Sequence, residues 1–123
     1  MKLKSLILIS ILTGYSFASA LEAPTDAQAE SNKLLAAISS GDYAAFVADG
    51  DTAFKGIKKE QFDMVAAQIG PRLKAGYEAS YLGELNQRGY KVTLWRLRFS
   101  TGGDDYLATL SLKDGKIGGY WIK

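Results

Sequence analysis

The spacing of apolar residues changes at Tyr77, and this change constrains the fold more than any other feature of the sequence. Before Tyr77, apolar residues recur at intervals of three and four, which is typical of amphipathic helices. After it, apolar and polar residues alternate, which is typical of strands with one buried face. The sequence therefore predicts a single α+β domain, in which N-terminal helices pack on a four-stranded antiparallel meander.

Signals for helix starts and ends divide the first part of this domain. Thr25 is predicted to cap the first helix, with Gln28 three residues later as in a capping box. Gly41 is predicted to end that helix. Asp42 can then cap a second, short helix, which Gly50 stops.

A third helix is predicted from about Lys58 to Gly76. Pro71 is expected to bend or break it, because proline removes a main-chain donor. Before this helix, residues 52–54 are predicted to form a brief edge strand. The positions of the third helix that are spaced for burial are Phe62, Val65, Ala66 and Ile69.

The first two strands, about 77–86 and 90–99, admit two registers. A two-residue turn at Arg88-Gly89 would pair Glu84 with Thr93 and Ala79 with Arg98. A three-residue turn over 87–89 instead joins opposite charges and joins aromatic rings, and each such pair contributes a few tenths to about 1 kcal/mol. We choose this second register, which also puts glycine in a bulge position. Its pairs are Tyr77–Phe99, Glu78–Arg98, Ser80–Arg96 and Tyr81–Trp95.

The last two strands, about 106–112 and 116–123, are joined by Asp114-Gly115, a strong two-residue hairpin signal. This turn pairs Leu112 with Ile117 and Ala108 with Trp121. Matching the apolar faces of the second and third strands predicts the pairs Phe99–Tyr106, Leu97–Ala108 and Trp95–Leu110.

These registers give the sheet two different faces. The helices are expected to cover a strongly apolar face made of Tyr77, Tyr81, Trp95, Leu97, Phe99, Tyr106, Ala108, Leu110, Ile117 and Trp121. The opposite face mixes charged and apolar side chains and is too apolar for bare solvent. It is predicted to meet a second copy of the chain, with an interface that includes Arg96, Arg98, Leu107, Tyr120 and Ile122.

Residues 1–20 have the pattern of a cleavable export signal. Two lysines precede the apolar run 6–12, and Ala18-Ser19-Ala20 is a small-x-small cleavage site. The run is too short to cross a bilayer, which takes about 20 apolar residues. We expect a mature domain of residues 21–123 that is periplasmic or secreted. The sequence has no Cys, so neither a lipid anchor nor membrane attachment after cleavage is expected.

Composition argues against several function classes. The chain has 15 Lys and Arg and 13 Asp and Glu, and loss of Lys2 and Lys4 with the signal balances the two. Nucleic-acid binding needs a basic footprint and is therefore not expected. The absence of Cys removes disulfide and thiol chemistry. The absence of His removes the usual general base and the commonest metal ligand. No metal or cofactor is predicted.

The order of elements resembles the cystatin-like α+β cone of the nuclear-transport-factor-2-like superfamily, over nearly the whole mature chain. Segment 36–43, a helix followed by Gly-Asp and an aromatic residue, and the final hairpin 114–121 carry the resemblance. It implies helices packed on a curved antiparallel sheet. The superfamily includes ketosteroid isomerases, dehydratases and polyketide cyclases, but this chain resembles its small exported members most closely. The chain lacks a His and the Gln-x-Val-x-Gly hairpin of cystatin inhibitors.

Three groups of residues are candidate sites, each with a structural alternative. Asp49 and Asp51 flank Gly50, and paired carboxylates can share acid and base roles, although a helix-terminating loop explains them too. An apolar cavity or ordinary core would both account for Tyr77, Tyr81, Trp95 and Trp121. An anion clamp or a polar ladder with Glu78 and Ser80 would both account for Arg96 and Arg98.

The sequence favours a non-enzymatic binding or protein-interaction module, with a small apolar ligand or a homodimer partner. Two alternatives stay open. One is a cone-type isomerase, dehydratase or cyclase that uses Asp49 or Asp51 with a pocket tyrosine. The other is a protein inhibitor of an enzyme. An open cavity joining Tyr81 and Trp95 to a carboxylate with a raised pKa would favour the enzyme.

Overall fold

The computed structural model describes residues 21–123, and the predicted export signal lies outside this range. Four helices precede four strands, and the strands form one antiparallel sheet in the order β1-β2-β3-β4. This confirms the α+β fold and the meander. The elements are α1 (Thr25–Ser40), α2 (Tyr43–Val47), α3 (Thr52–Lys55), α4 (Lys59–Lys74), β1 (Tyr77–Gln87), β2 (Tyr90–Phe99), β3 (Tyr106–Lys113) and β4 (Lys116–Ile122).

The ends of α1 and α2 follow local rules, with one exception. Gly41 ends α1 at a φ of 71°, in the left-handed region that glycine adopts without strain. The Asp42 carboxylate accepts a hydrogen bond from the Ala45 N–H at 3.0 Å and caps α2, as predicted. The predicted cap at Thr25 is wrong. The Pro24 carbonyl already accepts from the Gln28 N–H at 2.9 Å, so α1 begins one residue earlier and Thr25 lies inside it.

Residues 52–54 belong to the short helix α3, so the predicted edge strand is wrong. The Asp51 carboxylate accepts from the Phe54 N–H at 2.8 Å, and this cap starts a helical turn. Strand-like pairing occurs just before it, where Gly50 forms a parallel bridge with Ile117. The Asp51 N–H donates to the Ile117 carbonyl, and the Ile117 N–H donates to the Asp49 carbonyl, both at 2.9 Å. Segment 49–51 therefore covers the start of β4.

Helix α4 runs through Pro71 to Lys74, so the proline does not break it. Pro71 lies in the last turn, where a lost main-chain bond leaves little helix to disrupt. Phe62, Ile69 and Leu73 are buried on the face that meets α1 and the sheet. The predicted burial of Val65 is wrong, because 41% of this residue is exposed at the edge of the buried face of α4.

Both registers considered for β1 and β2 occur, in different halves of the hairpin. Near the turn, Glu84 pairs with Thr93; farther away, Tyr81 pairs with Trp95 and Glu78 with Arg98. Arg88 and Gly89 have φ values of 54° and 84°, which identifies a two-residue turn. The predicted three-residue turn is therefore wrong. The extra residue is Leu82, which forms a bulge that shifts the register between the halves.

The other two hairpins differ from prediction by a shift and a bulge. Leu97 pairs with Tyr106 and Trp95 with Ala108, two residues from the predicted register, so each side chain keeps its face. Between β3 and β4, Leu112 pairs with Ile117 as predicted, but a bulge near Gly118 then places Ile122 opposite Ala108.

The bulge in β4 moves each side chain that follows it to the opposite face of the sheet from the one predicted. The outer face of the sheet, away from the helices, carries Trp121 with 66% of its surface exposed. Tyr120, only 8% exposed, and Ile122 pack toward the core. Placing Tyr120 and Ile122 outside and Trp121 inside was therefore wrong. The physical cause lies at Gly118, where a Cβ would overlap the ring of Tyr90, so the strand can pass over this ring only with glycine there.

Candidate ligand-binding groove

An apolar groove of about 770 Å³ opens between α4 and β4, with α3 at one end. Its floor is an aromatic cluster from three helices, in which the ring of Phe46 lies 5.2 Å from that of Phe54 and 4.9 Å from that of Phe62. All three are buried. Aromatic pairs at these separations pack favourably beyond the area they bury, so the floor is well packed.

One wall of the groove is a stripe along α4. Gln61, Val65 and Gln68 lie on this stripe because residues three and four apart share a helix face. Arg72 continues this stripe in the last turn of α4, and Lys58 is the residue that precedes the first turn. The Arg72 guanidinium lies 4.2 Å from the centre of the Phe99 ring and donates to the Tyr106 hydroxyl at 3.2 Å. The wall therefore has an apolar centre, amide groups on either side and positive charge at both ends.

The opposite wall is the second half of β4, from Gly118 to Ile122. The β4 bulge turns Tyr120 and Ile122 toward the groove and leaves Trp121 at its outer lip. Lys123 and Leu107 exchange both main-chain hydrogen bonds, at 2.7 and 2.9 Å. Because antiparallel ladders alternate, the main-chain groups of Tyr120 and Ile122 point away from β3, toward the open edge of the sheet.

Tyr120 carries a buried polar atom without a partner. Among residues 21–123, its hydroxyl is one of two fully buried side-chain polar atoms that lack a hydrogen bond. Burial raises the pKa of Tyr120, and the nearby Ser31 hydroxyl, which does not reach hydrogen-bond geometry, only partly opposes this rise. An unsatisfied buried hydroxyl costs stability, so the Tyr120 hydroxyl lowers the stability of the fold.

Of the four aromatic residues predicted to line a cavity, only Trp121 lines this groove. Trp95 is fully buried, and its indole N–H donates to the Thr93 hydroxyl at 3.2 Å, so it fills the core. The Tyr81 ring packs 5.2 Å from that of Trp95 and is half-buried, while Tyr77 is exposed. The groove therefore does not join Tyr81 and Trp95 to a carboxylate.

The main chain of Asp49 and Asp51 is hydrogen-bonded to β4, and their side chains have other partners. The Asp49 carboxylate forms an ion pair with Lys33. Hydrogen bonds from Lys33 and then from Glu30 lower the pKa of Asp49, whereas burial and the adjacent Asp49 raise the pKa of Glu30. The Asp51 carboxylate is engaged in capping α3. Neither aspartate lines the groove.

Arg96 and Arg98 lie on the outer face with Leu107. They pair in register with Ser80 and Glu78, as predicted. Their ionic partner is instead Asp105, whose carboxylate is 4.0 Å from Nε of Arg96 and 3.5 Å from Nε of Arg98. The two guanidinium groups thus share one acidic neighbour on this face.

Most of the groove is not predicted by the sequence. The sequence predicts an edge strand at Phe54 and a core position for Val65, because Val65 continues an apolar stripe. The glutamines at 61 and 68 were the available signal, because they flank Val65 on the same face of α4 and mark this face as partly solvated.

Comparison with known proteins gives no independent assignment. No model of a known protein family matches the sequence, and no curated protein is significantly similar to it. In residues 21–123, no helix has the length and apolar character needed to cross a membrane. The same residues bring together no cluster of three acidic side chains suited to a metal ion.

Proposed function

We propose that this protein is an exported, non-enzymatic binding domain whose ligand site is the groove between α4 and β4. The observation that supports the proposal is the groove itself. Its volume of about 770 Å³ is within the usual range for ligand sites. Its lining is mostly apolar and aromatic, with amide groups at the rim that can orient a ligand.

The chemistry of the lining favours binding over catalysis. Among the described residues 21–123, no charged side chain lines the groove. Its ionisable groups are two tyrosines, Tyr106 and Tyr120, and the pKa of Tyr120 is raised by burial. General acid–base catalysis needs a group that titrates near the working pH. Asp49 and Asp51 are engaged in an ion pair and a helix cap, respectively. Favourable energy at this site therefore comes from burial of apolar surface.

A hydrophobic fluorescent dye tests the proposal. 1-Anilinonaphthalene-8-sulfonate is expected to bind native protein and to gain emission. Val65→Glu places a carboxylate in the centre of the groove wall and is expected to weaken dye binding at least about tenfold, since an unpaired charge is costly beside apolar surface. Met64→Glu is the matched control, because Met64 is 67% exposed and does not line the groove. Equal binding by both variants would refute the proposal.

Self-association through the outer face is a second proposal, favoured by a different observation. This face leaves Leu82, Leu85 and Trp121 exposed. Light scattering during size-exclusion chromatography is expected to show a dimer that Leu85→Lys weakens. A strictly monomeric particle at the highest attainable protein concentration would refute it.

Export is tested separately from binding. We expect intact-mass measurement of protein recovered from the periplasm or medium to give a chain beginning at Leu21. A full-length chain retained in the cytoplasm would contradict the export proposal and leave the groove unaffected.

A further inference from the structure

We propose that the groove takes an extended polypeptide segment, which adds to the edge of β4 as a fifth strand and places alternate apolar side chains into the groove. This inference rests on the proposed function and specifies its ligand. The partner is a peptide segment with apolar residues at alternate positions and acidic residues at its flanks. Three features of the described chain support it, and the dimensions of the groove agree with it.

The first feature is a set of main-chain groups that have no main-chain partner among residues 21–123. The N–H and C=O groups of Ile117 are bonded to segment 49–51, which covers the start of β4. Farther along, those of Tyr120 and Ile122 point outward, and within residues 21–123 no main-chain bond outside the sheet involves either residue. The free edge thus offers two donors and two acceptors in strand geometry, the arrangement that strand addition uses.

The second feature is a contrast between the two edges of the sheet. Exposed edges are usually protected by charges, prolines or bulges. The β1 edge has a bulge at Leu82 and two acidic residues, Glu78 and Glu84. Residues 117–122 of β4 contain neither a charge nor a proline, and the β4 bulge lies before the free stretch. The unprotected edge is the one that borders the apolar groove.

The dimensions of the groove fit the side-chain spacing of a strand. From Gln61 to Gln68, α4 rises roughly 10 Å at 1.5 Å per residue. Alternate side chains of a strand on one face lie roughly 7 Å apart. The groove is therefore long enough for two consecutive inward-facing side chains of an added strand, which would pack against Phe54, Phe62 and Val65.

The third feature is charge at the rim. Lys58 and Arg72 lie at the two ends of the α4 wall, and Lys123 follows the last residue of β4. None of the ion pairs within 4.0 Å in residues 21–123 uses these three cations. Opposite charges across an interface favour association and set its register, so acidic residues on both sides of the apolar pair are expected.

Selection from a displayed library of random ten-residue peptides tests the inference. Wild-type protein is expected to enrich peptides with apolar residues at alternate positions and Asp or Glu at the flanks. Met64→Glu should enrich the same peptides, and Val65→Glu should not. A synthetic selected peptide is then compared with two N-methylated forms. Methylation of two N–H groups that face β4 should weaken the Kd at least about tenfold, and methylation at the intervening positions should weaken it less.

Each outcome separates this inference from the proposed function. One outcome is that the dye binds wild-type protein but not Val65→Glu while no peptide is enriched. In that case the groove binds small apolar molecules and the inference is wrong. Selected peptides without alternation, or with affinity that N-methylation does not change, also overturn it, and so does a second copy of the chain found on this edge. If neither dye nor peptide binds, the proposed function itself fails.

Discussion

Tyr120 shows how the burial of one residue makes the stability of the fold depend on pH. Its pKa is raised above the ordinary 10.0, and burial is the main cause. A tyrosine with a raised pKa in the folded state stabilises the fold below the unfolded pKa, and this contribution is lost as the pH rises. The free energy of unfolding is therefore expected to fall above about pH 10. In this range Tyr120 ionises in the unfolded chain, whereas burial keeps it protonated in the folded chain.

Tyr120→Phe is expected to remove part of this alkaline loss. It should also raise the free energy of unfolding at pH 7 by about 1 kcal/mol, because the buried hydroxyl has no partner. Urea unfolding at pH 7 and pH 11 measures both effects. Tyr77→Phe, a change at a residue that is 38% exposed, should leave the free energy of unfolding at pH 7 unchanged. A variant less stable than wild type at pH 7 would show that the Tyr120 hydroxyl has a favourable partner, such as Ser31.

At the scale of elements, the sequence predicts types and order well and fine register poorly. The change in periodicity at Tyr77 identifies every strand, and Gly41 and Asp42 mark a helix end and a helix start. Gly83 and Gly118 lie at the two bulges, and glycine inside a strand is compatible with a bulge, but it does not determine where the register shifts. A bulge depends on contacts between neighbouring strands, such as the ring of Tyr90 against Gly118. One inserted residue reverses every later side chain, which is why the prediction exchanged Trp121 and Tyr120.

Gly118→Ala tests this account of the β4 bulge. A Cβ at this position overlaps the Tyr90 ring, so the substitution is expected to lower the free energy of unfolding by about 1–3 kcal/mol. Gly119→Ala is the neighbouring control, since its Cβ would lie 3.3 Å from Nε1 of the exposed Trp121, a side chain that can move aside. Chemical denaturation of both variants measures the difference. Similar losses would mean that the backbone of β4, rather than the Tyr90 contact, requires glycine.

At the scale of the whole molecule, the groove exists only when distant parts of the chain have folded together. Its floor comes from α2, α3 and α4, and its second wall comes from β4 at the end of the sheet. A ligand that needs both walls cannot bind either element alone. Its binding free energy therefore adds to the stability of the entire domain.

A peptide selected on the β4 edge is accordingly expected to stabilise the whole chain. At a free concentration one hundred times its Kd, the peptide should raise the free energy of unfolding of wild-type protein by about 2.7 kcal/mol. It should leave Val65→Glu unchanged and act on Met64→Glu as on wild type. Urea unfolding followed by far-ultraviolet circular dichroism, with and without peptide, measures the shift. Dimerisation through the outer face has a different signature, because it makes the midpoint rise with protein concentration when no peptide is present. A peptide effect of equal size on Val65→Glu would place the binding site outside the groove.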